Sequence, residues 1–123
     1  MSDIRVDTIS AANGTDPVTL TKQSAAKAWV NFNGTGTIAI RDSFNVASLT
    51  DNGTGNYNVN FSSSMANTGY SVGSSVDQIS PYPIIQAYLA SVQTGLVGLN
   101  VAQPGTADYD TTSVHGQVSG DLA

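Results

Sequence analysis

The chain has 123 residues and a formal net charge of −5 at pH 7, with nine acidic residues, every one Asp, against four basic ones. That length suits one domain with one core, and the absence of cysteine excludes disulfides and thiolate metal sites. Residues 1–27 are balanced in charge, while from residue 28 onward Arg41 stands alone against Asp42, Asp51, Asp77, Asp108, Asp110 and Asp121. A body of that sign is repelled by phosphate backbones and anionic lipid, so neither nucleic acid nor membrane insertion is expected.

The first 21 residues carry few large apolar side chains. Ile4, Val6 and Ile9 form a short strand-like pattern, the loop Ala11 to Pro17 follows, and Val18 and Leu20 resume the alternation. This segment cannot build a core of its own, so it reads as an extended arm, 1–21, that must lie either on the body of its own chain or on a neighbour, with those five side chains as the partner-docking candidates. Its start lacks the basic and apolar regions of a secretory signal, and no apolar run in the chain is long enough to span a bilayer. Synthesis in a cytoplasm is the expectation.

Residues 22–123 read as the body. The run Leu20 to Ala28 has the only helix-like composition, enough for at most one short helix with Thr21 as its cap. Beyond it the period becomes two. Val30 and Phe32 oppose Trp29, Asn31 and Asn33; the turn Asn33-Gly34-Thr35-Gly36 leads to Ile38 and Ile40; and Asp51 to Gly55 is a second turn. Tyr57, Val59 and Phe61 then alternate with Asn56, Asn58 and Asn60, a pattern in which a one-residue slip would expose all three large side chains. Tyr70, Val72 and Val76 mark another strand, and Pro81-Tyr82-Pro83 punctuates the chain. Ile84 to Ala90 and Leu96 to Val101 are apolar on both faces, as in strands covered on both sides. After the loop Gln103 to Asp110, Val114, Gly116 and Val118 alternate with His115, Gln117 and Ser119. Seven to nine short strands with turns between them predict an all-β antiparallel sandwich, jelly-roll or immunoglobulin-like. Sheet edges are usually guarded by Lys, and there is none after Lys27, so neighbouring copies are expected to cover the edges in a homo-oligomer.

Catalytic patterns are weak. His115 is the single histidine and no Gly-x-Ser-x-Gly elbow accompanies it, so a plain strand-surface role is expected. Asp108 and Asp110 flank Tyr109, a spacing that fits solvated turn residues better than a glycosidase pair or a calcium loop. Asn13, Asn33 and Asn52 each open an Asn-Gly-Thr turn, and Asn60 opens Asn-Phe-Ser; without a signal peptide these are not read as glycan acceptors. No catalytic residue, metal site or cofactor is expected. Loop aromatics are the better binding hint, because they anchor interfaces and stack on sugar rings, and Tyr82 and Tyr109 are the receptor-contact candidates.

The stretch Lys22-Gln-Ser-Ala-Ala-Lys-Ala-Trp-Val-Asn-Phe-Asn-Gly-Thr-Gly-Thr37, with Ile40-Arg-Asp-Ser-Phe-Asn-Val46 and Thr50-Asp-Asn-Gly-Thr-Gly55 after it, resembles the fibre-type virion structural proteins of tailed bacteriophages. The opening Ile4 to Ile9 and the closing Gly120 to Ala123 are similar to that family's two ends, and residues 77–110 are the least diagnostic. The resemblance implies a particle-surface component, often a homotrimer, mounted through one end on other virion proteins and presenting the other outward, where it meets the host. The chain lacks the long shaft of a full-length fibre. A head fibre, a capsid or neck decoration (cement) protein, or a receptor module for host surface glycan are the alternatives, and a glycan depolymerase comes last.

Overall fold

The computed structural model describes residues 8–15, 25–77 and 86–123. Nine strands make up the described body: β1 (Ala26–Asn33), β2 (Ala39–Phe44), β3 (Val46–Asp51), β4 (Asn56–Phe61), β5 (Ser71–Val76), β6 (Gln86–Val92), β7 (Leu96–Gln103), β8 (Ala107–Asp108) and β9 (Val114–Ser119). They form two antiparallel sheets, sheet A in the order β2-β1-β9-β5 and sheet B in the order β3-β4-β7-β6, with the short β8 beside β7. The all-β sandwich read from the sequence is the observed fold. An immunoglobulin-type sheet keeps its first strand at the edge, whereas here β1 lies inside sheet A, paired with β9. The order therefore departs from the immunoglobulin alternative.

The core follows from alternation. Inward-facing Ala28, Val30 and Phe32 of β1 and Val114 and Val118 of β9 meet Tyr57, Val59 and Phe61 of β4 and Val97, Leu99 and Val101 of β7. Phe32 packs edge-to-face on Tyr57 with ring centroids 5.1 Å apart, and Phe61 does the same with Tyr70 at 6.1 Å. Such pairs add about 0.5–1.5 kcal/mol beyond the area they bury.

Two sequence expectations are corrected. The helix-like run ending at Ala28 is strand from Ala26 onward, and no helix occurs among the described residues. Burying Ala28 in the core and pairing Ala26 with Ser119 outweigh a propensity difference of well under about 1 kcal/mol per residue. The residues before Ala25 in that run lie outside the described residues. The second correction concerns strands covered on both faces: β7 is central and buried, but β6 is an edge strand with Tyr88 and Leu89 exposed. A bulge between Leu89 and Ser91 breaks its inward-outward alternation.

Asn45 makes the crossing from sheet A to sheet B. It takes the left-handed conformation, φ 54°, between β2 and β3, which Asn tolerates better than other non-glycine residues. Its side chain then ties three segments together: Nδ2 donates to the carbonyls of Lys27 and Ser63, and Oδ1 accepts from the Ser63 N–H at 2.7 Å.

Candidate functional site

Antiparallel pairing gives the sandwich two distinct poles. At the base pole lie the entry to β1 at Ala26, the Asn45 crossing, the connection 62–70, the turn between β6 and β7, and the C-terminal residues. Here the Ala123 N–H donates to the Ser64 carbonyl, Met65 bridges Leu122, and the Tyr70 hydroxyl reaches the carbonyl oxygens of Gln93 and Leu96. At the loop pole lie the turn after β1, the Asp51 to Gly55 turn, the ends Asp77 and Gln86 of the β5–β6 connection, and the segment from Pro104 to Ser113.

Two side-chain latches hold the loop pole. In the first, the Tyr57 hydroxyl lies 2.7 Å from Asp110 Oδ1 and 2.9 Å from the Gly34 carbonyl oxygen, and it has one proton to share between them. Asp110 Oδ1 also accepts from the Gly55 N–H at 2.7 Å. Burial pushes the Tyr57 pKa far above its ordinary value, and the hydrogen bond to Asp110 and its negative charge push the same way, so Tyr57 is a fixed donor. Gly34 is required by contact, since a Cβ there would sit 2.6 Å from that hydroxyl. Gly55 is required twice over, by its φ of 66° and by the closeness of the Val101 carbonyl to any added Cβ.

In the second latch, Arg41 on edge strand β2 donates to Asn31 Oδ1, Ser113 Oγ and the Thr112 carbonyl. Asp77, just past β5, accepts from the Thr112 hydroxyl and, at 3.0 Å, from the Ser113 N–H. Burial alone would raise the Asp77 carboxyl, but the hydrogen bonds from Thr112 and Ser113, with help from the Arg41 charge, hold it below its ordinary value. The segment leading into β9 is thus gripped from both edges of sheet A.

The aspartates on either side of Tyr109 diverge. Asp110 turns inward to Tyr57, and Asp108 accepts from the Asn100 amide at 3.0 Å. Neither carboxylate closes its own turn as the spacing suggests: Asp108 bonds to the neighbouring strand β7, and Asp110 to Tyr57 and the Gly55 turn more than fifty residues away. Among the described residues no three His, Cys, Asp or Glu side chains are grouped as metal ligands would be. The Asn-Gly-Thr turns at Asn13 and Asn33 are closed by their own side chains, Oδ1 accepting from the N–H two residues on.

Of the receptor-contact candidates, Tyr109 is half-buried beside the Gly55 turn, its N–H donated to the Val101 carbonyl. Tyr82 lies outside the described residues, in a segment whose ends are at the loop pole. Of the arm residues, Ile9 is 63% exposed, and Ile4, Val6, Val18 and Leu20 lie outside the described residues. His115 is exposed on the outer face of β9, as its strand pattern suggests.

That outer face carries an aromatic that loop position does not pick out. Trp29 sits between Phe44 on β2 and Gln117 on β9, and Gln117 in turn faces Gly73 on β5. A groove of about 580 Å³ runs over β9 and β5 beside it. The legible signal was Trp29 on the outward parity of β1, followed by the run Ser71, Gly73, Ser75 with nothing larger than serine. Compared with known proteins, the chain matches no family model, no curated protein and no solved structure.

Proposed function

We propose that this chain is a bacteriophage virion structural protein, a fibre or spike module without enzymatic activity. It is mounted through its N-terminal arm on other virion proteins and contributes to host attachment from the particle surface. The observation that carries the reading is the two-pole geometry: the chain enters the body at the base pole, and the turn after β1, the Asp51 to Gly55 turn, the ends of the β5–β6 connection and the segment from Pro104 to Ser113 gather at the opposite end. A module docked by residues 1–21 therefore presents the loop pole outward. The residue resemblance to fibre-type virion proteins supports the same reading, and the exposure of Ile9 suits a docking side chain.

Self-association belongs to the proposal. Phe44 on β2 and Leu89 on β6 are each at least half exposed, and both strands are sheet edges without a lysine guard. A homotrimer that covers these edges removes both liabilities. Light scattering on the purified chain reads this directly: a mass three times that of the monomer is expected, with Phe44→Ser and Leu89→Ser together shifting it to one. Deleting residues 1–21 should leave folded bodies that fail to join particles. Incorporation of the truncated protein at normal copy number overturns the role of the arm.

A further inference from the structure

The outer face of sheet A is built as a step. Trp29, His115 and Gln117 stand along β1 and β9, while the adjoining β5 lines the groove with nothing larger than serine, at Ser71, Gly73, Ser74 and Ser75. The groove over that step, about 580 Å³, falls within the roughly 300–1,000 Å³ of small-ligand sites. It follows the strands from Ser71 to Ser75, which at the usual rise is about 14 Å, the length of a short oligosaccharide.

Its chemistry narrows the occupant. Among the described residues, the side chains of His115, Gln117, Ser71 and Ser75 make no hydrogen bonds, so their donors and acceptors face the groove unspent. Trp29, 37% exposed, adds an apolar aromatic surface with one N–H. Apolar C–H faces flanked by hydroxyls are what such a combination complements, and that is the surface of a pyranose ring. No Lys, Arg, Asp or Glu lines the groove, and the chain carries a net charge of −5, which disfavours anionic sugars.

We infer that the groove over β9 and β5, with Trp29 at its side, is a binding site for a neutral oligosaccharide. The inference deepens the attachment reading and rests on it only for where the sugar is met. It moves recognition from the loop pole to the flank of the sandwich.

Trp29 is the single tryptophan of the chain, so its fluorescence reports occupancy without a label. The purified full chain is titrated with neutral tetrasaccharides of glucose, galactose, mannose and N-acetylglucosamine, with an oligogalacturonate as the anionic contrast. A saturable change with at least one neutral chain, at least tenfold weaker with the oligogalacturonate, is expected. Gly73→Leu tests the groove itself, because a Cβ at Gly73 meets nothing within 4 Å and the side chain fills open space. It should weaken binding at least tenfold with the melting temperature unchanged, and Ser75→Leu should repeat the effect. The inference is overturned if no neutral sugar gives saturation, or if both leucine variants bind like the parent. It is equally overturned if the fluorescence changes with protein concentration alone and Gly73→Leu abolishes that change, since the occupant is then a second copy. A chain that binds no sugar but still enters particles through its arm sinks only the groove, leaving the mounting role intact.

Discussion

The two poles of the sandwich are fastened by different chemistry. The base pole is held by groups that carry no charge from acid to neutral pH: the Asn45 amide, the Tyr70 hydroxyl and backbone bonds around Met65 and Leu122. The loop pole is held by ionisable ones, with Tyr57 against Asp110 and Asp77 beside Arg41 and the Thr112–Ser113 segment. Stability at the loop pole therefore depends on pH in acid, through Asp77, as well as in alkali, through Tyr57, whereas the base pole responds only in alkali, where Tyr70, its pKa raised by burial, ionises.

The sharpest way to break the comparison is Gly55→Ala. It forces a Cβ against the Val101 carbonyl at a positive φ, and should cost on the order of 3 kcal/mol by chemical denaturation. Next is Tyr57→Phe, which strips Asp110 and Gly34 of a buried donor and should cost about 1–3 kcal/mol. It carries a second signature. Because the folded Tyr57 pKa is raised, its contribution is fully present below its ordinary 10.0 and is lost as pH rises beyond it. Melting temperatures of the parent should therefore fall in alkali more steeply than those of Tyr57→Phe.

At the base pole, Asn45→Ala removes three hydrogen bonds from a left-handed residue and should cost about 2 kcal/mol, by the same amount from roughly pH 3 to pH 10. A pH-dependent loss there would erase the distinction between the poles. Asp77→Asn should have a smaller effect, under about 1 kcal/mol near neutrality, because the group is partly solvated. Its folded pKa is depressed, so its contribution is present above the ordinary 3.8 and is lost as pH falls through the folded value. The variant should flatten the acid limb of the stability curve. Smallest of all, Asn60→Ala on the outer face of sheet B breaks bonds to Ser48 and Thr50 in the open and should change stability by less than about 0.5 kcal/mol.

Local patterns made most of the sandwich legible, because alternation is a local property. Tyr57, Val59 and Phe61 could be assigned to the core, and His115 and Gln117 to the surface, by parity alone. Whether a strand sits at an edge is a property of the whole sheet, which is why the apolar run of β6 gave no warning that Leu89 would be exposed. The latches were hidden for the same reason. Tyr57 and Asp110 are 53 positions apart, and Thr112 and Asp77 are 35 apart; the sheet order makes them neighbours, and spacing carries no trace of it. The groove was half legible. The small residues of β5 could be read, but not their placement beside β9 and Trp29.

The pairing of β1 with β9 has a kinetic consequence. Sheet A stays split until Val114 to Ser119 arrives to join β1 to β5, so β1, paired early with β2, must wait nearly ninety positions for its second neighbour. Contacts of such high order slow folding. A copy clipped before residue 114 would keep β1 with β2, and β3, β4, β6 and β7, able to pair while β5 and the β9-facing edge of β1 stay open, a form that invites strand exchange with other copies.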